Sequence, residues 1–172
     1  MAEESEMRTA AILVVSDRCS RGETEDLTGP HLARLLSEYG WTVSETLIVP
    51  DDEGAIMEAL KNWADGGKTA LIFTAGGTGL GPRDVTPEAT GKVVEKVADG
   101  IIQLMRSEGM KITPRAALSR AVAGVRGRTL IVNLPGSPHA AGESFMAIEG
   151  ILAHGLEMLR GGGHPEAEKG GK

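Results

Sequence analysis

The hydrophobic pattern of the chain alternates between short unbroken apolar runs and longer stretches of helical period. Residues 9–15 (Thr-Ala-Ala-Ile-Leu-Val-Val) form an apolar run of strand length, the pattern of a strand buried on both faces. Ser16, Asp17 and Arg18 end it and open a long polar loop that runs to Asp26. From Thr28-Gly29-Pro30 a helix is expected, with Leu32, Leu35, Leu36 and Tyr39 on one side and Gly40 as its stop. Residues 41–49 are rich in β-branched side chains and partly alternate, which predicts a second strand. Pro50-Asp51-Asp52-Glu53 stops that strand and starts a helix carrying Ile56, Leu60 and Trp63. Acidic residues suit its N-terminus, and Asp51 or Asp52 suits its N-cap. A turn at residues 65–68 leads to a third strand at residues 69–74.

A helix is next expected from Thr86-Pro87-Glu88, with Val93, Val94 and Val97 sharing a side and Gly100 interrupting it. Residues 101–106 continue that helix or begin another. Gly109 and Pro114 bracket a connection to residues 116–120, where Ser119 and Arg120 read as a solvated helix end or as a phosphate or carboxylate contact. Residues 121–126 and 129–134, on either side of a turn at Gly127, predict a β-hairpin. After Pro135-Gly136-Ser137-Pro138, a helix from about Ala140 places Phe145, Ile148, Leu152, Leu156 and Leu159 on one stripe, leaves His154 on the surface and ends at Gly161. The order predicts one domain over residues 9–160, a three-layer α/β/α sandwich with a mostly parallel, mixed sheet. A disordered start at residues 1–8 and a flexible tail at residues 161–172 flank it. With the strands parallel, the loops at residues 16–18, 50–52, 74–84 and 135–138 share the carboxyl edge of the sheet, where open α/β folds bind ligands.

Composition narrows the partners. A net charge of -6 argues against a general nucleic-acid binder. One cysteine, Cys19, excludes an intramolecular disulfide, and the acidic start lacks the order of a signal peptide; both point to the cytoplasm. No apolar run approaches the roughly 18 residues of a membrane span. Aromatics are only 3% of residues, so the core has to be aliphatic.

The densest chemistry lies in Thr74-Ala75-Gly76-Gly77-Thr78-Gly79-Leu80-Gly81-Pro82-Arg83-Asp84, between a strand and a helix. Such glycines permit positive φ and let an anionic or planar ligand approach bare N–H groups; a merely flexible turn is the alternative. Pro82-Arg83 stands where a P-loop needs Lys-Ser/Thr, and the Gly-x-Gly-x-x-Gly of dinucleotide folds is absent.

Six stretches in order, Ser16-Asp17-Arg18, Pro50-Asp51, Thr74 to Gly79, Arg83 to Thr90, Leu118-Ser119-Arg120 and Asn133 to Pro138, resemble the molybdopterin-binding MogA/MoaB family of molybdenum-cofactor biosynthesis. The resemblance covers roughly residues 9 to 160, and Gly79-Leu80-Gly81-Pro82 is closer to the MoaB branch. It implies adenylyl transfer from ATP to the terminal phosphate of molybdopterin, with Mg²⁺ and pyrophosphate release. By motif, the catalytic and metal-holding pair falls on Asp51 and Asp84. Substrate contacts fall on Ser16, Asp17, Thr74, Gly76, Gly77, Thr78, Gly79, Ser119, Arg120, Pro135, Gly136 and Ser137. Arg83 is left to orient Asp84 or touch a phosphate. The resemblance further implies a homotrimer, or hexamers built from trimers, and hand-over of product to a metal-insertion protein; molybdenum and tungsten stay open. A pterin-binding carrier without turnover and a nucleotide-pyrophosphate hydrolase are the competing readings.

Overall fold

The computed structural model describes residues 8–161. The expected disorder at residues 1–8 and tail at 161–172 lie, apart from Arg8 and Gly161, outside the described residues. Within them the order is β1 (Thr9–Val15), a one-turn helix (Asp17–Ser20), α1 (Thr28–Glu38), β2 (Thr42–Val49), α2 (Glu53–Asp65), β3 (Leu71–Ala75) and α3 (Thr86–Val93). There follow β4 (Lys96–Val97), α4 (Asp99–Ile112), a 3₁₀ turn (Pro114–Leu118), β5 (Ala123–Arg126), β6 (Thr129–Leu134) and α5 (Pro138–Leu159).

The six strands form one sheet in the order β2-β1-β3-β6-β5-β4. β2, β1, β3 and β6 run parallel, while β5 is antiparallel to both β6 and β4. The unbroken apolar runs now have their cause. Along β1, Ala10, Ile12 and Val14 enter one core and Ala11, Leu13 and Val15 the other; Phe73 and Ile72 on β3, and Val132 and Ile131 on β6, divide in the same way. The first core lies under α1, α4 and α5, with Leu32, Leu36, Met105, Phe145 and Ile148. The second lies under α2 and α3, with Ile56, Leu60 and Val93. The expected three-layer mixed α/β sandwich is the observed fold.

Four local expectations are corrected. The polar stretch after β1 begins as a helical turn, Asp17–Ser20, because the Ser16 hydroxyl accepts from the Cys19 N–H at 3.2 Å. The helix expected to carry Val97 ends at Val93, and Lys96–Val97 pairs with β5 as a short edge strand that leaves Val97 exposed. Gly100 does not interrupt a helix: the preceding helix has already ended at Val93, and Gly100 is the second residue of a new one, α4, which is the begun-anew alternative for residues 101–106. Ser119 and Arg120 follow a 3₁₀ turn in extended conformation rather than ending an α-helix.

Candidate active site

Four parallel strands deliver four loops to one edge. At the first two, backbone pairing gives way to side chains. The Asp17 N–H donates to Asp51 Oδ2 at 2.8 Å, and the Asp51 N–H donates to Asp17 Oδ1 at 3.0 Å. Asp52, not Asp51, caps α2, accepting from the Ala55 N–H at 2.8 Å. That frees Asp51 from a structural duty at the helix. Burial pushes its carboxyl above the ordinary value, and the negative charges of Asp17 and Asp84 add to this, against the hydrogen bond from Asp17. Arg83 forks onto Asp17, with Nε to Oδ2 at 3.0 Å and Nη2 to Oδ1 at 3.1 Å, and holds that carboxyl below its usual range. Arg83 therefore orients Asp17, a partner not among those weighed for it from sequence.

The glycine loop is shaped by close approach. Gly76 has φ 110°, and a Cβ built on it would stand 2.3 Å from the Val15 carbonyl oxygen. Gly77 has φ 64°, and a Cβ there would stand 2.4 Å from Thr86 Oγ1 and 3.1 Å from Asp51 Oδ1. The buried Thr86 braces this turn: its hydroxyl donates to the Gly76 carbonyl at 2.9 Å and its N–H to the Gly77 carbonyl at 3.1 Å. Among the described residues the N–H groups of Gly77, Thr78 and Gly79 donate to no group of the chain, which is the electrostatics of an anion cradle. Asp84 folds back under the loop, its Oδ2 accepting from the Gly81 N–H at 2.8 Å. The fourth loop closes on the third, with a Cβ on Gly136 standing 3.2 Å from the Gly76 Cα.

Two expected ligand residues are engaged within the chain. Arg120 donates its N–H to the Thr78 carbonyl at 2.9 Å, Nε to the Gly79 carbonyl at 2.7 Å and Nη2 to the Asp84 carbonyl at 2.7 Å, and pairs with Glu88 through Nη1. Its guanidinium is a clamp behind the loop. Thr74 is fully buried, its hydroxyl accepting from Asn133 Nδ2 at 2.9 Å. Asn133, missed as a site residue, also donates to Thr90 Oγ1 at 2.8 Å and accepts from the Val122 N–H at 3.0 Å. An asparagine inside an otherwise apolar strand was the available signal. Ser16 and Ser137 serve as helix caps, Ser137 Oγ accepting from the Ala140 N–H at 3.3 Å.

On the far side of the loop lies a cavity of about 290 Å³ with mainly apolar walls, among them Thr78, Gly79, Ile102, Met105, Ser119 and Pro135. Thr78 and Gly79 thus separate an apolar chamber from an acidic centre: Gly79 faces the cavity, and a Cβ on it would stand 2.9 Å from Asp84 Oδ2. Asp51, Asp84, the four loop residues 76–79 and Gly136 gather around this wall, with Ser119 and Pro135 in the chamber. Among the described residues no three His, Cys, Asp or Glu side chains stand together as a metal site. No helix of the described residues is long and apolar enough to cross a membrane.

Comparison with known proteins agrees with this geometry. Residues 11–154 match the family described as a probable molybdopterin binding domain. The chain is 40% identical over 152 residues to a molybdopterin adenylyltransferase of Helicobacter pylori, covering 87% of this chain and 86% of that one. It is equally 40% identical over 152 residues to the molybdenum cofactor synthesis protein cinnamon of Drosophila melanogaster, but spans only 25% of that longer protein. Among solved structures, the molybdopterin biosynthesis enzyme MoaB of Thermus thermophilus superposes with a TM-score of 0.84 at 47% identity, covering 89% of this chain and 96% of that one. With the family match over most of the chain and the solved structures in agreement, the chain belongs to the MogA/MoaB family of molybdopterin-binding domains.

Proposed function

We propose that this protein transfers the adenylyl group of ATP to the terminal phosphate of molybdopterin. A phosphate oxygen of the pterin attacks the α-phosphorus, the bond from that phosphorus to the bridging oxygen of the β-phosphate breaks, and pyrophosphate leaves. The observation that carries the proposal is the single wall, Thr78 and Gly79, between an apolar chamber of suitable size for a pterin and an acidic centre. In this reading the chamber takes the heterocycle against Thr78, Ser119 and Pro135. The unpartnered N–H groups of Gly77, Thr78 and Gly79 receive its phosphate without adding net charge. The rigid loop, braced by Thr86 and Arg120, supplies positioning, which is most of what phosphoryl-type transfer asks of a protein.

The donor set fits Mg²⁺. Asp51 Oδ1 faces the loop and Asp84 stands across it; burial raises the Asp51 carboxyl, the negative charge of Asp84 adds to this, and a cation between them would offset that charge. With Mg²⁺ bound, the ion supplies charge neutralisation on the nucleotide phosphates. A cytoplasmic location and a trimer, or a hexamer built from trimers, belong to the same proposal. The exposed apolar Met146, Ile151 and Met158 of α5 are compatible with self-association. Hand-over of product to a metal-insertion protein completes it. The test is incubation with molybdopterin, ATP and Mg²⁺ and mass-spectrometric detection of adenylylated molybdopterin. Product that depends on all three is expected; a folded protein that binds the pterin and makes no product refutes the transferase reading in favour of a carrier.

A further inference from the structure

The parallel pairing of β1 and β2 does not stop where the strands stop. The Ser16 N–H still reaches the Val49 carbonyl oxygen at 2.9 Å. One step further, side chains replace the backbone in a reciprocal pair, the Asp17 N–H to Asp51 Oδ2 and the Asp51 N–H to Asp17 Oδ1. The pair joins residues 34 apart in the chain. It engages one oxygen of Asp51 and leaves the other, Oδ1, facing Gly77. Asp17 in turn has both of its oxygens committed: Oδ1 accepts from the Asp51 N–H and from Arg83 Nη2, and Oδ2 accepts from Arg83 Nε. Three of the roughly four acceptor positions of that carboxylate are taken within the chain.

We infer that Asp17 is a positioning residue for the adenylyl transfer proposed above: it fixes the Asp51 carboxylate with Oδ1 toward the glycine loop, and Arg83 offsets the like charge that this places beside Asp51. A carboxylate held by one hydrogen bond swings about its side-chain torsions, whereas two bonds that link the loops of adjacent strands fix both the backbone and the head group. Bringing a second carboxylate to do this creates repulsion, which is the physical reason for a guanidinium fork on its outer side. Arg83 is two-thirds exposed and acts as a counter-charge; its pair adds little to the stability of the fold.

The inference distinguishes two substitutions. Asp17→Asn keeps an oxygen for the Asp51 N–H and the backbone N–H for Asp51 Oδ2, and loses the charge and the oxygen that accepts from Arg83 Nε; Asp17→Ala also loses the acceptor for the Asp51 N–H. Crystal structures of both variants and calorimetric titration with ATP and Mg²⁺ are read beside kcat and the KM for molybdopterin. Asp17→Ala is expected to reorient Asp51 and to lower kcat by about 10- to 100-fold with little change in KM for the pterin, the scale of a misplaced catalytic group. Asp17→Asn is expected to keep the Asp51 orientation and to retain at least about tenfold more activity than Asp17→Ala. Equal losses in the two variants with Asp51 unmoved would mean that Asp17 contacts ligand itself, and would overturn the inference. Arg83→Gln is expected to weaken turnover in the parent and to add nothing in the Asp17→Asn background; an equal loss in both backgrounds would overturn its assigned part. If the parent forms no product, the transferase reading fails, while the Asp51 orientation in the two crystal structures still decides the positioning claim.

Discussion

Replacing Gly76 by alanine tests whether the glycine loop is as tightly built as its geometry indicates. The backbone there has φ 110°, and the new Cβ would stand 2.3 Å from the Val15 carbonyl oxygen and 3.3 Å from its carbonyl carbon. Positive φ alone costs an L-residue about 1–2 kcal/mol. The contact to oxygen is roughly 1 Å inside ordinary van der Waals separation. It is made to backbone at the last residue of β1, an interior strand of the sheet, where Val15 is paired with Val49 of β2. Forcing extra volume into such a place costs about 1–3 kcal/mol, giving about 2–5 kcal/mol in all. For a domain of this size that lowers the unfolding midpoint by roughly 5–20 °C. Gly91 is the control: it lies in α3 with no atom within 4 Å of where a Cβ would stand, so Gly91→Ala is expected to be neutral or to stabilise by up to about 1 kcal/mol. Thermal and urea unfolding of both variants measure the difference. A Gly76→Ala midpoint within about 2 °C of the parent would refute the argument that this glycine is required by close approach.

Other outcomes follow from the same contacts. Arg120→Ala, which removes donors from the Gly79 and Asp84 carbonyls, is expected to destabilise by about 2–4 kcal/mol in urea unfolding and to weaken pterin binding, because the wall formed by Thr78 and Gly79 loses its clamp. The raised carboxyl of Asp51 means that its ionisation works against folding: stability falls as pH rises from the ordinary value of 3.8 through the higher folded value. Asp51→Asn is therefore expected to raise the unfolding midpoint near neutral pH, an advantage that vanishes below pH 3.8, while turnover is lost. Glu88 has the opposite sign, since its pairing with Arg120 depresses its carboxyl. The stability it contributes is present above the ordinary value of 4.5 and is lost as pH falls through the folded value, so the difference between the parent and Glu88→Gln in melting curves should shrink across that range.

The parts of the structure legible from sequence are those whose cause is local or repeats along the chain. β1, β3 and β6 are buried on both faces and so read as unbroken apolar runs; Phe145 to Leu156 on α5 carry a helical period because one side of that helix meets the first core. β4 was not legible. Val93, Val94 and Val97 have helical spacing, and the pairing of Lys96 and Val97 with β5 is a tertiary fact that overrides it. Gly100 failed as a stop signal because the preceding helix ends earlier, at Val93, and Gly100 lies in the first turn of α4 and not in a helix interior, where glycine is costly. The gathering of four strand-end loops at one edge of the sheet was legible from topology, and Asp51 and Asp84 were singled out by motif. The roles of Arg83 and Arg120 were not found. Each arginine acts on groups far away in sequence, Asp17 lying 66 residues from Arg83 and the Gly79 carbonyl 41 residues from Arg120, and a basic residue near a glycine loop looks the same in sequence whether it binds a phosphate or holds the loop. Asp17 and Ser16 were grouped with the ligand contacts, and their bonds to Asp51 and Arg83 and to the turn at Cys19 respectively were not legible.

The division of labour across the Thr78–Gly79 wall is tested most directly by measuring molybdopterin binding and adenylylated product together in Asp84→Asn. The expected result is pterin affinity within about threefold of the parent, because the chamber is untouched, with product formation reduced by about 10²-fold or more. Loss of pterin binding in step with product, or product formation at the parental rate, would contradict the separation of an apolar binding chamber from an acidic reacting centre.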